Sequence, residues 1–396
     1  MTYGDRKDEP NSSAERSKEP PSVPILDLSW TKNTTKRLQL LQQLHSALFN
    51  IGFLYITGHN IEQSTINNLV DFLPNLFALP SEEKAALSKL SSPHFLGYSG
   101  FAEETTLGKQ DLREQFDFAT ELSAVQTPDK PYWRLRGPNQ WPSEPSLPGF
   151  RKAFLDYHDA VENLSYRFVH LIEEAFGVPL GTFDLFFNPN HTGLTNGAAI
   201  NGCANPPEKA RLRPQHRIKL LRYPPSLRDS DAQAQGVGAH KDSSGWLTFL
   251  YQVGNEPGLE VLSSSGKWLP VPPVPNSFVV NFGNAFEAAT EGAVKATIHR
   301  VIAPGPDNAV RYSIPFFQGL PLDMTVSQIR SYVPETVRAL RKYGENGEAL
   351  SGEGVSSFLD PRWDSLGESQ LRKWIRSHRD VGLKWYGQDM VNYYTQ

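Results

Sequence analysis

The segment from Arg217 to Phe317 constrains the fold of this 396-residue chain more than any other. It holds eight short runs rich in β-branched and aromatic residues, with Gly, Pro and Ser between them: RIKLLRY, VGAHKD, WLTFLYQV, GLEVL, KWLPV, SFVVNFG, ATIHRVI and RYSIPFF. Short strands at this spacing are typical of an antiparallel sandwich or barrel. The sequence therefore predicts a jelly-roll core, that is, a double-stranded β-helix.

Helical patterns flank this core on both sides. Leucines at helical spacing predict a helix over residues 36–49, and a stripe of aromatic and aliphatic residues predicts a second over Phe150–Phe176. After the strands, helical patterns return over residues 326–343, broken near Pro334, and over residues 370–385. We therefore predict an α+β fold with flanking helices and a C-terminal helical cap.

The predicted domain organisation follows from the charged N-terminal segment and from the absence of a linker after it. The first 22 residues are charged and lack the apolar segment of a secretory signal, so we expect a disordered tail there. No internal repeat and no linker rich in Pro, Gly or Ser follows this tail. We expect residues 23–396 to form one domain, with the strand-rich core at about 214–320.

Charge and cysteine content exclude several classes of protein. Acidic and basic residues are mixed along the chain, and the net charge of −4 argues against a nucleic-acid-binding protein with a basic face. No run of about 18 apolar residues exists, so we expect no membrane span. Cys203 is the single cysteine, which rules out an intramolecular disulfide and a cysteine-built metal site. We expect a reducing, cytoplasmic location and no obligate protein partner.

Two His-x-Asp triplets are candidates for metal binding: His240-Lys241-Asp242 and His378-Arg379-Asp380. On a strand, residues i and i+2 point to the same face about 6.6 Å apart, whereas on a helix they differ by about 200°. The second triplet lies in the helical pattern LRKWIRSHRDVG, so we expect it not to chelate an ion. The first lies at the end of a predicted strand among glycines, which leave room for a ligand.

A chelating pair needs a third ligand, and His299 is the best candidate. It lies 57 residues after Asp242, in another predicted strand. Two histidines and one carboxylate on one side of a metal ion are the arrangement of non-haem Fe(II) oxygenases. A tetrahedral zinc site for hydrolysis uses the same ligands, and an ordinary hydrogen-bonded histidine is a further alternative for His299.

Arg311-Tyr312-Ser313, twelve residues after His299, distinguishes these alternatives. In the predicted strand RYSIPFF, Arg311 and Ser313 share a face and Tyr312 points to the other. A guanidinium among apolar residues is costly unless it has an anionic partner, and its planar fork matches a carboxylate. The pattern predicts a carboxylate-binding site beside the metal centre; the alternative is a salt bridge to a protein Asp or Glu.

These residues, in their order and spacing, resemble the Fe(II)/2-oxoglutarate-dependent dioxygenases of the isopenicillin N synthase-like branch. LREQFDF (112–118), KLLRYPP (219–225) and GKWLPVPPVPNSFVVNFGN also resemble segments of that family. The resemblance covers about residues 23–319, and QGVGAHKDSSGWLTFLYQ and RYSIPFFQG look fungal.

The resemblance implies the roles of six residues. His240, Asp242 and His299 would hold Fe(II), Arg311 and Ser313 would bind the distal carboxylate of 2-oxoglutarate, and Tyr223 would assist. The reaction would consume O₂ and 2-oxoglutarate, with ascorbate as a reductant, and would oxidise a small organic molecule by hydroxylation, desaturation or ring formation. Secondary metabolism or small-molecule catabolism is the expected setting.

Three alternatives to this function remain at the level of sequence. The first is an oxidase of the isopenicillin N synthase type, which keeps the Arg-x-Ser pair without using 2-oxoglutarate. The second is a zinc hydrolase, which leaves Arg311 unexplained, and the third is a binding module that has kept the fold.

The substrate pocket is less defined by the sequence. Arg113 and Arg222 are candidate substrate anchors, although an ordinary surface or salt-bridge role is favoured for each. The C-terminal helices from Gln370 are a candidate lid. Aromatic candidates for the pocket are Phe101, Phe116, Phe118, Trp246, Phe317 and Trp385.

Overall fold

The computed structural model describes residues 23–106, 108–187, 212–226, 234–243, 245–341 and 364–395. The predicted tail, residues 1–22, and Cys203 lie outside these ranges. The described strands are β1 (Ile25–Asp27), β2 (Phe53–Thr57), β3 (Gly97–Ser99), β4 (Thr105–Thr106), β5 (Lys109–Gln110), β6 (Glu114–Ala119), β7 (Arg217–Tyr223), β8 (Gln235–His240), β9 (Leu247–Val253), β10 (Leu259–Leu262), β11 (Trp268–Pro270), β12 (Phe278–Phe282), β13 (His299–Ile302) and β14 (Arg311–Phe317). The described α-helices are α1 (Thr34–Asn50), α2 (Gln63–Val70), α3 (Leu73–Phe77), α4 (Ser81–Ala86), α5 (Phe150–Phe176), α6 (Asn284–Ala289), α7 (Val326–Ser331), α8 (Glu335–Arg338), α9 (Leu366–Ser377), α10 (Arg379–Tyr386) and α11 (Gln388–Thr395).

Two sheets form the centre of the fold. The major sheet has the strand order β1-β2-β12-β9-β14-β7-β6-β3, and the minor sheet has the order β11-β10-β13-β8. Neighbouring strands are antiparallel except β1 and β2, which are parallel. Strands β7 to β14 correspond one to one to the eight strands expected from sequence, and the predicted α+β jelly roll is confirmed.

The two sheets pack face to face around an apolar cluster. Strand β7 shows how the sequence achieves this, because its side chains alternate between two environments. Ile218 and Leu220 point to the helical side, whereas Leu221 and Tyr223 point to the space between the sheets. The inter-sheet cluster joins both sheets through Leu221, Tyr223, Val279, Val237, Val261 and Val301.

Helix α5 covers the outer face of the major sheet. It spans the residues predicted from its stripe and ends at Gly177, whose φ of 69° is the left-handed conformation that favours glycine. Phe154 and Phe168 are fully buried on it, and the Phe168 and Phe249 rings lie 5.8 Å apart. Burying each such side chain stabilises the fold by about 1.5–3 kcal/mol. This packing holds strand β9, and with it one wall of the space between the sheets.

The C-terminal cap differs from the predicted single helix over residues 370–385. Helix α9 ends at Ser377, α10 begins at Arg379, and a further helix, α11, follows. His378 has non-helical torsion angles (φ −137°, ψ 70°) because its ring reaches Glu104, 274 residues away in the chain. The predicted uninterrupted helix is therefore wrong at His378, whereas Arg379 and Asp380 of the second His-x-Asp triplet begin α10.

The remaining helix predictions agree more closely. Helix α1 begins earlier than predicted because Asn33 caps it, its side chain accepting from the Lys36 N–H. The pattern over residues 326–343 gives α7 and α8, and α8 begins after Pro334, where the pattern predicted a break. Among the described residues, no helix is both long and apolar enough to cross a membrane.

Candidate metal centre and cosubstrate pocket

Two histidines face each other on neighbouring strands of the minor sheet. His240 is the last residue of β8 and His299 is the first of β13, and the two are direct partners in the antiparallel register. Their ring centroids lie 4.3 Å apart. The sheet thus brings together two imidazoles that are 59 residues apart in sequence.

Asp242 reaches the same point from beyond the strand. The expectation that His240 and Asp242 share one strand face is wrong, because β8 ends at His240. The Asp242 carboxylate is instead held by the major sheet: Oδ2 accepts hydrogen bonds of 2.7 Å from Thr248 on β9 and from Asn281 on β12. Its other oxygen, Oδ1, lies 3.8 Å from His240 Nε2 and 3.6 Å from His299 Nε2. The three side chains therefore meet between the two sheets.

The hydrogen bonds of the two rings fix which nitrogen is free. His240 Nδ1 lies 2.8 Å from the Gly238 carbonyl oxygen, and His299 Nδ1 lies 3.0 Å from that of Thr297. A carbonyl only accepts, so each Nδ1 carries the proton and each Nε2 lone pair faces Asp242. This is the tautomer in which a histidine binds a metal through Nε2.

The electrostatics of the cluster favour the metal-binding protonation states. Burial, followed by the charge of His299, lowers the pKa of His240 to about 3. Burial alone would raise the pKa of Asp242, but the two histidines and the hydrogen bonds from Thr248 and Asn281 outweigh it and lower that pKa. Neutral imidazoles and an ionised carboxylate are the forms that bind a divalent cation.

The donor set fits a non-haem iron ion. One ligand atom from each residue lies within 4.8 Å of the others. Two atoms that each bind an ion at about 2.1 Å can stand at most about 4.2 Å apart, and both measured carboxylate–imidazole distances satisfy this limit. Two nitrogens and one oxygen on the same side leave the opposite positions open.

A second group of potential ligands, His158, Asp159 and Glu162 on α5, is less suited to a metal. The Glu162 carboxylate is already an acceptor for Arg213 and for Tyr166 (2.6 Å), and it lies 3.2 Å from His216. A guanidinium next to the carboxylate takes the place that a cation would need.

Arg311 lies in the same inter-sheet space without a carboxylate partner among the described residues. The residue is 1% exposed. Nη2 donates to Gln252 Oε1 (3.0 Å), and Nη1 donates to Ser313 Oγ (3.4 Å). Nε has no hydrogen-bond partner among the described residues. Its guanidinium lies 4.9 Å from the centre of the Tyr223 ring, which is the register partner of Arg311 on β7. A buried guanidinium with an unused donor is suited to bind an anion from outside the chain.

One cavity of about 340 Å³ joins the histidine cluster to Arg311. All six residues expected from sequence line it, namely Tyr223, His240, Asp242, His299, Arg311 and Ser313. The C-terminal cap closes one side, because Lys373, Trp374 and Ser377 of α9 and the adjoining His378 also line it. The cavity thus combines a potential metal site, an anion site and room for a second small molecule.

Sequence reasoning missed a network of buried charges in the cavity wall. Glu104 accepts from Lys89, Arg113 and Gln115 at 2.7–2.8 Å and lies 2.8 Å from the His378 ring. Burial would raise the pKa of Glu104, but Lys219, Lys89 and His378 lower it well below its usual value. One signal was present in the sequence: Lys219 shares the cavity side of strand RIKLLRY with the buried Leu221 and Tyr223.

The two candidate substrate anchors lie at different places relative to the cavity. Arg113 lines the cavity and pairs with Glu104 at 2.8 Å, whereas Arg222 lies away from the cavity and pairs with Glu114 at 2.5 Å. Of the six aromatic candidates, Phe317 lines the cavity. The other five lie in the core, at the surface or against another loop: Phe101, Phe116, Phe118, Trp246 and Trp385.

Comparison with known families agrees with this geometry. Residues 23–144 match the family described as non-haem dioxygenase in morphine synthesis N-terminal, and residues 214–319 match the 2OG-Fe(II) oxygenase superfamily. A 2-oxoglutarate-dependent dioxygenase, frbJ, from Dothideomycetidae sp. (strain 11243) is 37% identical over 92% of this chain and 92% of its own. Homoarginine-6-hydroxylase 2-ODD-233 from Oryza sativa subsp. japonica is 28% identical over 85% of this chain and 98% of its own.

Solved structures show the same fold. A full-length Neurospora crassa protein, solved in complex with alpha-KG and thymine, has a TM-score of 0.63 at 21% identity, covering 89% of this chain and 97% of that one. A putative 2OG-Fe(II) oxygenase family protein from Caulobacter crescentus has a TM-score of 0.62 at 24% identity, covering 86% and 98%.

These relatives confirm the resemblance drawn from the motifs, and they do not favour the oxidase that works without 2-oxoglutarate. The chain belongs to the 2OG-Fe(II) oxygenase superfamily and is a 2-oxoglutarate-dependent dioxygenase, an oxidoreductase that uses Fe(II), 2-oxoglutarate and O₂ to oxidise a small molecule.

Proposed function

We propose that His240, Asp242 and His299 hold the Fe(II) ion of this dioxygenase. The observation that carries this assignment is the convergence of their free ligand atoms, with both Nε2 atoms within 3.8 Å of Asp242 Oδ1. Further support comes from the carbonyl oxygens that accept from each Nδ1, because they orient the rings.

Arg311, Ser313 and Tyr223 bind 2-oxoglutarate in this proposal. The distal carboxylate pairs with the Arg311 guanidinium and accepts from the Ser313 hydroxyl, while Tyr223 lies against the guanidinium face. This pairing supplies the anion that the buried guanidinium lacks among the described residues. Gln252, which sequence reasoning missed, holds Nη2 in place from β9.

When bound, Fe(II) and 2-oxoglutarate supply the oxidising chemistry, in which O₂ and 2-oxoglutarate yield succinate and CO₂ while the substrate is oxidised. The chain's own residues bind and orient the reactants and exclude water. Thr248 and Asn281 hold Asp242 ionised, and α9 covers the cavity. Hydroxylation is the default outcome, with desaturation and ring formation as variants, and ascorbate serves as an auxiliary reductant.

We further propose the setting in which the enzyme works. Residues 23–396 act as one dioxygenase domain, with the metal-binding core at about 214–320. The mixed charge and the single cysteine support a cytoplasmic enzyme of secondary metabolism or small-molecule catabolism. In this proposal it needs no nucleic acid, membrane or obligate protein partner.

Succinate release tests the cosubstrate assignment without knowledge of the substrate. Anaerobically purified, Fe(II)-loaded protein is exposed to O₂ with and without 2-oxoglutarate, beside Arg311→Ala and Arg222→Ala. We expect 2-oxoglutarate-dependent succinate from the wild type and from Arg222→Ala, whose side chain pairs with Glu114 away from the cavity. Arg311→Ala should lose about 2–5 kcal/mol of cosubstrate binding free energy, as when one partner of a buried charge pair is removed. Equal succinate release by Arg311→Ala would overturn the assignment.

A further inference from the structure

The cavity has a side lobe that is separate from the 2-oxoglutarate pocket. This lobe, about 40 Å³, is lined by Asp242 and Ser243 on one side and by Lys373 and Trp374 of α9 on the other. Arg311, Ser313 and Tyr223 do not line it. A molecule in the lobe therefore lies next to Asp242 and away from Arg311 and Ser313.

Lys373 is a cation without a carboxylate partner among the residues that the structure describes. The other two lysines of the cavity wall are paired: Lys219 with Asp117 at 3.5 Å, and Lys241 with Glu287 at 3.0 Å. Lys373 is half-buried, and its ammonium group lies 5.3 Å from the centre of the Trp374 ring.

The groups around Lys373 leave an excess of positive charge in the lobe. Lys219 and Arg217 both act against its charge, and Arg217 donates to backbone carbonyls of His94 and Phe95 rather than to a carboxylate. Asp242 and Glu104 both favour the charge of Lys373, but Asp242 faces the two histidines and Glu104 is paired with Lys89 and Arg113. Burial, and then the charge of Lys219, lowers the pKa of Lys373 to about 8.

A second donor faces the same lobe. Ser243 Oγ is buried and has no hydrogen-bond partner within the described part of the chain. A buried hydroxyl without a partner is costly, and a cation beside it makes an oxyanion the matching ligand. Phe317 and Trp374 supply apolar surface for the rest of a small organic molecule.

We propose that Lys373 and Ser243 bind a carboxylate of the substrate, so that the enzyme oxidises an organic acid held between α9 and the metal centre. This inference rests on the proposed function, because it takes the metal to lie at His240, Asp242 and His299. The carboxylate supplies the anion that Lys373 lacks and an acceptor for Ser243. The excess positive charge disfavours a substrate whose group at this place is cationic or neutral.

The test uses pairs of small molecules that differ at one group, which is a carboxylate in one member and the uncharged primary amide in the other. A panel of aliphatic, aromatic and amino carboxylic acids, each matched with its primary amide, is screened for stimulation of succinate release by the Fe(II)-loaded enzyme. We expect stimulation by one or more acids and at least about tenfold weaker stimulation by the matching amides. Stimulation by amides as strong as by acids, or by no acid at all, would overturn the proposal.

Substitutions on α9 then test whether the substrate carboxylate binds at Lys373. Lys373→Ala should raise the KM for the active acid roughly tenfold or more without changing the KM for the cosubstrate, and Lys373→Arg should restore part of the loss. Arg376→Ala is the matched control, since Arg376 is an exposed cation on the same helix and does not line either cavity. An unchanged KM for the acid in Lys373→Ala contradicts the proposal. A wild type that releases no succinate with 2-oxoglutarate would instead contradict the proposed function.

Discussion

At the scale of single residues, Asp242 depends on both sheets. Its Oδ1 faces the two histidines of the minor sheet, while its Oδ2 accepts from Thr248 and Asn281 of the major sheet. Residues that hydrogen-bond to a metal ligand orient it and keep it ionised. Their loss typically lowers metal affinity by about 10–100-fold. In the proposed site, the major sheet thus supports metal binding without contributing a ligand of its own.

Thr248→Val tests this support. The substitution keeps the shape of the side chain but removes the hydroxyl that donates to Asp242 Oδ2. We expect metal affinity to fall about 10–100-fold in an anaerobic Fe(II) titration. Thr248→Ser keeps the donor and should bind as the wild type does; equal affinity in all three proteins would show that the hydrogen bond does not support the site.

The sequence predicted which residue types form the candidate metal site, but not how the chain positions Asp242 in it. The alternation rule placed His240 and Asp242 on one strand face, whereas the strand ends between them. Gln252 and Thr248 were not foreseen, because a polar side chain on a mostly apolar strand carries no sign of its partner. The pattern within one segment indicates candidate ligands, whereas the residues that hydrogen-bond to those ligands come from strands that are distant in sequence.

At the scale of elements, the joint between α9 and α10 connects the C-terminal cap to the cavity wall. His378 leaves the helical path there and contacts Glu104 and Lys89 at 2.8 and 3.1 Å. Helical periodicity predicted one uninterrupted helix, since it cannot register a contact 274 residues away. By contrast, α5 was predictable because its apolar stripe repeats along the whole helix, and β7 to β14 were predictable because each is a short run of β-branched and aromatic residues between turn residues.

His378, between α9 and α10, makes the free energy of unfolding depend on pH. Burial, and then the charge of Lys89, lowers the pKa of His378 below 6.5, so the unfolded chain binds a proton at a higher pH than the folded chain does. The free energy of unfolding should therefore fall as the pH drops below about 6.5, by at most about 1.4 kcal/mol per pH unit for one group. Urea unfolding at pH 7.5 and 5.5 measures the loss.

His378→Gln is the comparison for this prediction. It removes the titrating ring and leaves the other buried histidines, so its unfolding free energy should depend less on pH over the same range. An identical pH dependence in the two proteins would contradict a role for His378.

At the scale of the whole molecule, the site exists because two sheets built from distant segments face each other. The minor sheet brings His240 and His299 together, and the major sheet provides Arg311 and the support for Asp242. The sequence could predict the strands and the order of the motifs, but not which strands become neighbours across the sandwich. Substrate contacts such as Lys373 come from the C-terminal cap, which lies outside the resemblance drawn over residues 23–319.

The proposed function requires that His240, Asp242 and His299 hold one Fe(II) ion, and metal stoichiometry tests this most directly. Anaerobic equilibrium dialysis of Fe(II) is carried out on the wild type, Asp242→Ala, His299→Ala and, as a control from the second His-x-Asp triplet, Asp380→Ala. We expect one tightly bound ion per chain in the wild type and in Asp380→Ala, and loss of this ion in the other two variants. Full iron binding by folded His299→Ala or Asp242→Ala would contradict it.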